Sequence, residues 1–487
     1  MIRPNSNEIE ALAKEYKIIP ISKEIYADIT TPIAVLRKLA AISKNYFLLE
    51  SVVGGEKWGR YSFLGFDPVV SISCKDKLLV IDNGERQEIH TDKPFEYLRE
   101  LMKEYRSPRL PELPPFTGGL VGYFSYGLFA YAEPVLKLRS SDLKDFELKL
   151  FDKVIAYDHL KQKIIIVVNM KTDKVLENYG KAVADIERLT RLLLDSSVGN
   201  SQLKGSGSRP AFSCNVSREE YCKMVEKTKE YIKDGDIFQA VISRRYESHY
   251  PDSLLNAYRV LRTTNPSPYM VFIQYDDLQI ISTSPETLIR LKDGKLVTLP
   301  IAGSRPRGKD AQEDLRLEKE LLVDEKELAE HDMLVDLARN DLGKISDFGT
   351  VKVADYRRIH RYLRIMHITS EVEGQLHKDK DAFDAIEAIL PAGTLSGAPK
   401  IRACEIIEEL EKAPRGLYGG AIGYIDFTGN MDTCIAIRMA VKKDDKVYIQ
   451  CGAGIVADSD PQKEYEESEN KAKAVIEAII KASEVDE

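Results

Sequence analysis

The chain has no uncharged run approaching the ~18 residues that a membrane-spanning helix needs, and its first residues, MIRPNSNE, lack the apolar region of an export signal. Neither export nor membrane anchoring is expected. Cysteine is sparse: six residues in 487, at positions 74, 214, 222, 404, 434 and 451, with no CxxC and no Cys/His ligand spacing. This argues against a zinc site and a disulfide framework and fits a reducing cytoplasm. A large charge of one sign is missing too. The formal net charge is −8 and the pI is near 5.7, which leaves no global footprint for nucleic acid or a membrane surface. No internal repeat is present. GTLSGAPK at 393–400 lacks the Walker spacing, in which Lys directly follows the second Gly and Ser or Thr comes next.

What is there is a globular composition, 43% hydrophobic and 30% charged, long enough for a large core in one domain or two. The clearest shift in composition is DSSVGNSQLKGSGSRP at 195–210, too poor in apolar residues to hold a fixed structure. It predicts a linker over 195–212 between an N-terminal part, 1–194, and a C-terminal part, 213–487. Before it, strands are expected at 47–53, 69–74, 78–81 and 163–168 and a helix at 175–194. After it, helices are expected at 217–233 and at 324–342, the latter closed by Gly343, with strands at 237–245 and 270–275. The fold class is α+β.

The most informative segment is GAGIVADSDPQKEYEESENKA at 452–472. Asp460 suits an N-cap and Pro461 a first helical turn. Glu464, Glu467 and Lys471 then share about a third of the helix circumference with Val475 and Ala478, the face that packs. A plain surface ion pair between Glu467 and Lys471, worth about 0.3–0.5 kcal/mol, is the competing reading. Against it stand Gly452, Ala453 and Gly454, which follow the strand-like 446–451 and let backbone N–H groups approach an anion. Carboxylates for a hard cation beside donors for an anion suggest a magnesium-bridged carboxylate or phosphate.

Glu330 supplies a third acid. In EHDMLVDLARND at 330–341 it shares a face with Met333, Leu334 and Leu337, where a lone carboxylate needs a partner such as Arg339 or a cation. His367 lies in YLRIMHITSE at 362–371, which reads as an interior strand; it is either structural or an acid–base group. Thr394 is offered by a tight turn. Arg438 follows the alternating 434–437 and so projects from an apolar strand, suited to a carboxylate or to a structural salt bridge.

Together, PIAGSRPRG at 300–308, the 330–341 segment, GTLSGAPK at 393–400, YGGAIGY at 418–424 and the 452–472 segment closely resemble the chorismate-utilising enzymes, and among them the anthranilate synthase large subunits (component I). The match runs from about 20 to 480. The resemblance implies a large mixed helix and antiparallel-sheet fold, with an N-terminal regulatory part packed on a C-terminal catalytic part. It also implies a carbon–oxygen lyase acting on chorismate. Glu330 and Glu467, with Glu464 adjoining, would ligate Mg²⁺. Gly303, Ser304, Tyr418, Arg438, Gly452, Ala453, Gly454 and Lys471 would hold the substrate. Glu286, in SPE at 284–286, would be the acid for the departing ring hydroxyl, and His367 and Thr394 would serve the elimination of pyruvate.

Two positions separate the members. Relatives that add water carry a lysine where this chain has Gln239, and a neutral amide cannot deprotonate water, so ammonia is the expected nucleophile. Aminodeoxychorismate synthases carry a lysine where this chain has Ala302, which removes that covalent route. Ser304 for the commoner Thr and Ala240 for Val are departures expected to touch packing or affinity only. With no recognisable amidotransferase elbow in the chain, ammonia should come from glutamine on a separate component II subunit, in a heterotetramer. LLES at 48–51 and NPSPYM at 265–270 resemble segments that bind feedback-inhibiting L-tryptophan, which places Glu50, Ser51, Pro268, Tyr269, Met270 and Gly423 near that ligand. The competing functions are an aminodeoxychorismate or aminodeoxyisochorismate synthase and an inactive tryptophan-sensing paralogue.

Overall fold

The computed structural model describes residues 2–51, 59–195, 209–362 and 365–485. The expected linker falls mostly on 196–208, and the end of the expected strand at 47–53 on 52–53, both outside the described residues. The strand Lys163–Lys171 shows how the architecture follows from composition. KIIIVVNMK is apolar at nearly every position, which suits a strand covered on both faces. Ile164, Ile166, Val168 and Met170 enter a core shared with helices, while Ile165 and Val167 enter a core between two sheets.

Among the described residues these sheets have 13 and 12 strands, built from antiparallel pairs. Helices Pro32–Ala40, Val175–Leu194, Leu255–Thr264 and Pro461–Lys481 cover the outer face of the first sheet. Pro94–Glu104, Glu325–Gly343 and Ala382–Ile389 cover that of the second. Between the sheets lie edge-on aromatic contacts, Phe47 with Phe151 at 4.8 Å and Phe63 with Phe116 at 5.6 Å. Residues before and after the linker segment interleave in both sheets. Strand Asn45–Glu50 pairs with Tyr269–Tyr275, and Gly119–Phe124 with Ala421–Asp426.

Local signals act as the chemistry of helix ends demands. Ser217 caps Arg218–Lys233 and Glu220 closes a capping box. Asp324 caps Glu325–Gly343, but Gly343 is the last helical residue and not the stop, because the capping N–H belongs to Lys344, bonded to the carbonyls of Asp341 and Leu342. The expected strand at 362–371 is found as Ile365–Gln375, interior to the second sheet between Lys352–Arg361 and Ile301–Pro306.

Two adjacent strands bend from one sheet into the other. Leu278–Ser284 in the first sheet continues through Pro285 and Glu286 into Thr287–Lys292 in the second. Its neighbour Met439–Lys443 is reached from Met431–Ile435 in the same way. Backbone bonds tie the two bends: Thr283 N–H to Arg438 O at 3.0 Å and Ile435 N–H to Glu286 O at 3.0 Å. This corrects the expectation that Arg438 projects from a strand. The strand stops at Ile435, and Arg438, at φ 49°, occupies the corner because turning between sheets requires a left-handed backbone there.

Candidate functional site

The corner brings Glu286 and Arg438 into one region. Glu286 is buried and accepts a 2.9 Å hydrogen bond from Thr394 Oγ1. Burial pushes its carboxyl up to about 8, against the opposing effects of Thr394 and the Lys471 charge, so the group is protonated and a donor at neutral pH. Thr394 sits in the short turn Gly393–Leu395, which presses against the helix Glu325–Gly343; a Cβ on Gly393 would lie 2.1 Å from Leu337 Cδ2.

His367 faces the same space from the strand Ile365–Gln375. Its neighbour Ile301–Pro306 carries a bulge between Ala302 and Ser304, with Gly303 at φ 67°. Gly303 O is 3.2 Å from His367 Nδ1; a carbonyl can only accept, so Nδ1 carries the proton and Nε2 keeps its lone pair. Burial, then the charges of Arg438 and Lys471, push the imidazole down to about 4, leaving it neutral. A protonated carboxyl and a neutral imidazole with a free Nε2 lone pair therefore both lie within reach of the Lys471 charge. Ala302 is buried behind the bulge, and Ser304 is exposed.

The C-terminal helix closes another side. Asp460 accepts from Gln462 N–H and Lys463 N–H, and Pro461 opens the helix. Val475 and Ala478 are buried, Glu464 and Lys471 half-buried and Glu467 exposed. Lys471 Nζ pairs with Glu467 at 2.7 Å and also donates to Gly452 O at 3.1 Å, while Arg438 Nη1 donates to Lys471 O at 3.4 Å. The surface ion pair thus exists, and it is one edge of a larger cluster. Glu330 reaches the cluster from the opposite helix. Burial and then the Glu327 and Glu467 charges raise its carboxyl, and burial with Glu467 raises Glu464. Arg339, the alternative partner of Glu330, pairs with Asp336 at 3.0 Å on the exposed side.

Among the described residues no three acidic, imidazole or thiolate groups close into a finished metal cage. Mutually repelling carboxylates from two helices fit a hard cation that keeps part of its water shell. Gly452, Ala453 and Gly454, expected to follow the strand 446–451, belong to it. The strand runs through them to Ile455, with Gly452 opposite Ser243 and Gly454 opposite Val241. Their function in packing is close approach: a Cβ on Gly454 would lie 2.6 Å from Gln239 Nε2. Gln239 is buried and its Oε1 has no partner.

Behind these groups lies an ion pair that sequence reasoning missed. Arg415 and Glu411 are both buried and 2.6 Å apart. Arg415 also donates to Leu395 O, beside Thr394, and to Val241 O at 2.6 Å, and its guanidinium lies 5.7 Å from the ring centre of the buried Tyr418. Glu411 accepts from Ser243 N–H at 2.7 Å. The i, i+4 spacing was the only signal, and these residues lie beyond the helix Lys400–Leu410, where that spacing has no fixed meaning.

Glu50, Ser51, Pro268, Tyr269, Met270 and Gly423 line one separate cavity of about 900 Å³. The Glu50 carboxylate is engaged elsewhere, by Arg262 and Tyr258 at 2.7 Å and by Ser62 at 3.2 Å. The Tyr269 hydroxyl instead joins the cavity wall, donating to Asp432 at 2.7 Å.

Comparison with known proteins shows the family. The family model for chorismate binding enzymes matches residues 45–477. Anthranilate synthase component 1 of Acetivibrio thermocellus is 47% identical over the full length of both chains, and that of Aquifex aeolicus is 44% identical over 99% of this chain and 98% of its own. The crystal structure of anthranilate synthase component I from Streptococcus pneumoniae superposes with a TM-score of 0.78 at 36% identity, covering 93% of this chain and 99% of that one. The chain belongs to the chorismate binding enzyme family and is an enzyme of the anthranilate synthase component 1 type.

Proposed function

We propose that the corner between the sheets aminates chorismate with ammonia and then eliminates pyruvate to give anthranilate, the first step of tryptophan formation. The observation that carries this reading is that a protonated Glu286 and a neutral His367 both feel the Lys471 charge, with Arg438 also acting on His367. Arg438 and Lys471 attract and orient the substrate carboxylates. Glu286 gives its proton to the ring hydroxyl, which leaves as water while the ammonia nitrogen bonds to the ring. The partnerless Gln239 Oε1 accepts an N–H of the incoming ammonia. In the second stage the ring loses a proton, whose bonding pair completes the aromatic ring, while the enolpyruvyl C–O pair leaves with the oxygen, which takes up a proton and tautomerises to pyruvate. His367 Nε2 is the base, and the Thr394 hydroxyl stands near the departing oxygen.

Glu330, Glu464 and Glu467 would hold Mg²⁺. Bound there, the ion supplies positive charge to the ring carboxylate of chorismate. Ammonia is supplied from glutamine by a separate amidotransferase subunit, in a cytoplasmic heterotetramer. L-tryptophan occupies the 900 Å³ cavity and weakens chorismate binding. Linkage then requires chorismate to weaken tryptophan binding by the same factor, and calorimetric titration of each in the presence of the other checks it. The main test is to incubate the purified chain with chorismate, Mg²⁺ and ammonium at mildly alkaline pH, no higher than about 8, where Glu286 keeps much of its proton. Anthranilate fluorescence supports the assignment, and a folded preparation that forms none rejects it.

A further inference from the structure

Arg244, on the strand Gln239–His249, is 1% exposed and one of the largest fully buried side chains among the described residues. Its guanidinium lies 3.8 Å from the ring centre of Tyr465, with Tyr246 at 5.3 Å and Tyr221 at 5.5 Å. Nε donates to Ser468 Oγ at 3.0 Å and Nη2 to Tyr465 O at 3.3 Å, while Nη1 has no partner. A buried cation held by rings and neutral oxygens is costly to retain for packing alone, since an apolar residue of similar volume avoids the desolvation. Its guanidinium hydrogen bonds both fall on the single helical turn 465–468, which directly follows Glu464 and contains Glu467.

We infer that Arg244 is a positioning residue that sets the rotation of the helix Pro461–Lys481 and thereby aims Glu464, Glu467 and Lys471 at the site. A planar guanidinium is well shaped to do so, because it grips one ring by stacking and one turn by two directed hydrogen bonds, and the helix cannot roll without losing both. A roll of about 20° moves a carboxylate ~6 Å from the axis by about 2 Å, enough to spoil metal and substrate geometry. The inference rests on the reading that this helix face binds chorismate and a divalent cation.

The test uses the full chain carrying Arg244→Lys, which keeps the charge but not the stack or the fork. Chorismate kinetics are measured with ammonium, and Mn²⁺ binding without chorismate by calorimetry. Chorismate KM and the Mn²⁺ Kd are expected to rise about tenfold, with kcat changed less than about threefold and cooperative melting retained. A variant that melts earlier yet keeps wild-type KM and Mn²⁺ affinity overturns the inference. If Arg244→Lys does not fold, Tyr465→Leu removes the stack with Arg244 in place; the same tenfold rises support positioning, and unchanged constants overturn it. Wild-type protein that ignores Mn²⁺ defeats the cation reading separately, and the chorismate KM still decides the role of Arg244.

Discussion

Replacing Glu286 by Gln probes the buried acid most directly. The unfolded carboxyl releases its proton near 4.5 and the folded one only near 8. Between these values the folded chain holds one proton more than the unfolded chain, so stability falls as pH rises, by about 1.4 kcal/mol per unit. The loss begins near pH 4.5 and is complete above about 8. Glu286→Gln keeps the shape and removes the titration. The variant-minus-wild-type difference in unfolding free energy should therefore rise by about 4 kcal/mol between pH 5 and pH 9, read from urea denaturation across that range. Activity should move the opposite way: wild-type kcat declines above about pH 8 as the acid ionises, and the variant loses about 10²–10⁴-fold at pH 7. A stability difference that stays flat from pH 5 to 9 would show that Glu286 ionises like an exposed carboxyl, and the general-acid role would fall with it.

His367→Ala should lower anthranilate formation by about 10²-fold while an aminated intermediate accumulates, visible by mass spectrometry; equal loss of both species argues against a base for the second stage. Arg415→Met leaves Glu411 buried without its cation and should destabilise by about 3–5 kcal/mol in denaturant titrations, with the Glu411→Leu double variant recovering most of the loss. Gly303→Ala should cost about 1–2 kcal/mol for the left-handed backbone, and its Cβ would crowd Ile368 at 3.1 Å, so chorismate kinetics should worsen through the displaced His367 acceptor. Chelation of divalent ions should abolish ammonia-dependent turnover, and Mg²⁺ should restore it.

Elements whose physics is local were legible in the chain itself. The helix Val175–Leu194, the helix starts at 217 and 324 and the cap Asp460 follow from periodicity and from side chains that satisfy orphan N–H groups a few residues away. Gln239 and Ala302 likewise carry information in what they cannot do, since neither can act as a base or a nucleophile. Arg438 was misplaced because the apolar alternation of 434–437 continues into a corner whose existence depends on two sheets meeting. Gly452 and Gly454 read as following the strand 446–451, because glycine's lack of a side chain signals either a turn or a close approach, and only the facing strand Gln239–His249 shows that the strand runs on through them.

By itself the sequence determined the α+β class, the starts of several helices, and the family with its inventory of acids, bases and cations, since these depend on neighbours along the chain and on motif chemistry. The tertiary structure alone decided that strands from both sides of the linker segment share two sheets and that Glu286 and Arg438 meet where those sheets exchange strands. It also decided that Glu286 and His367 are both neutral, the carboxyl keeping its proton and the imidazole leaving Nε2 free. The physical reason is that burial and long-range charge set those protonation states, and both are properties of residues far apart in sequence brought together by packing.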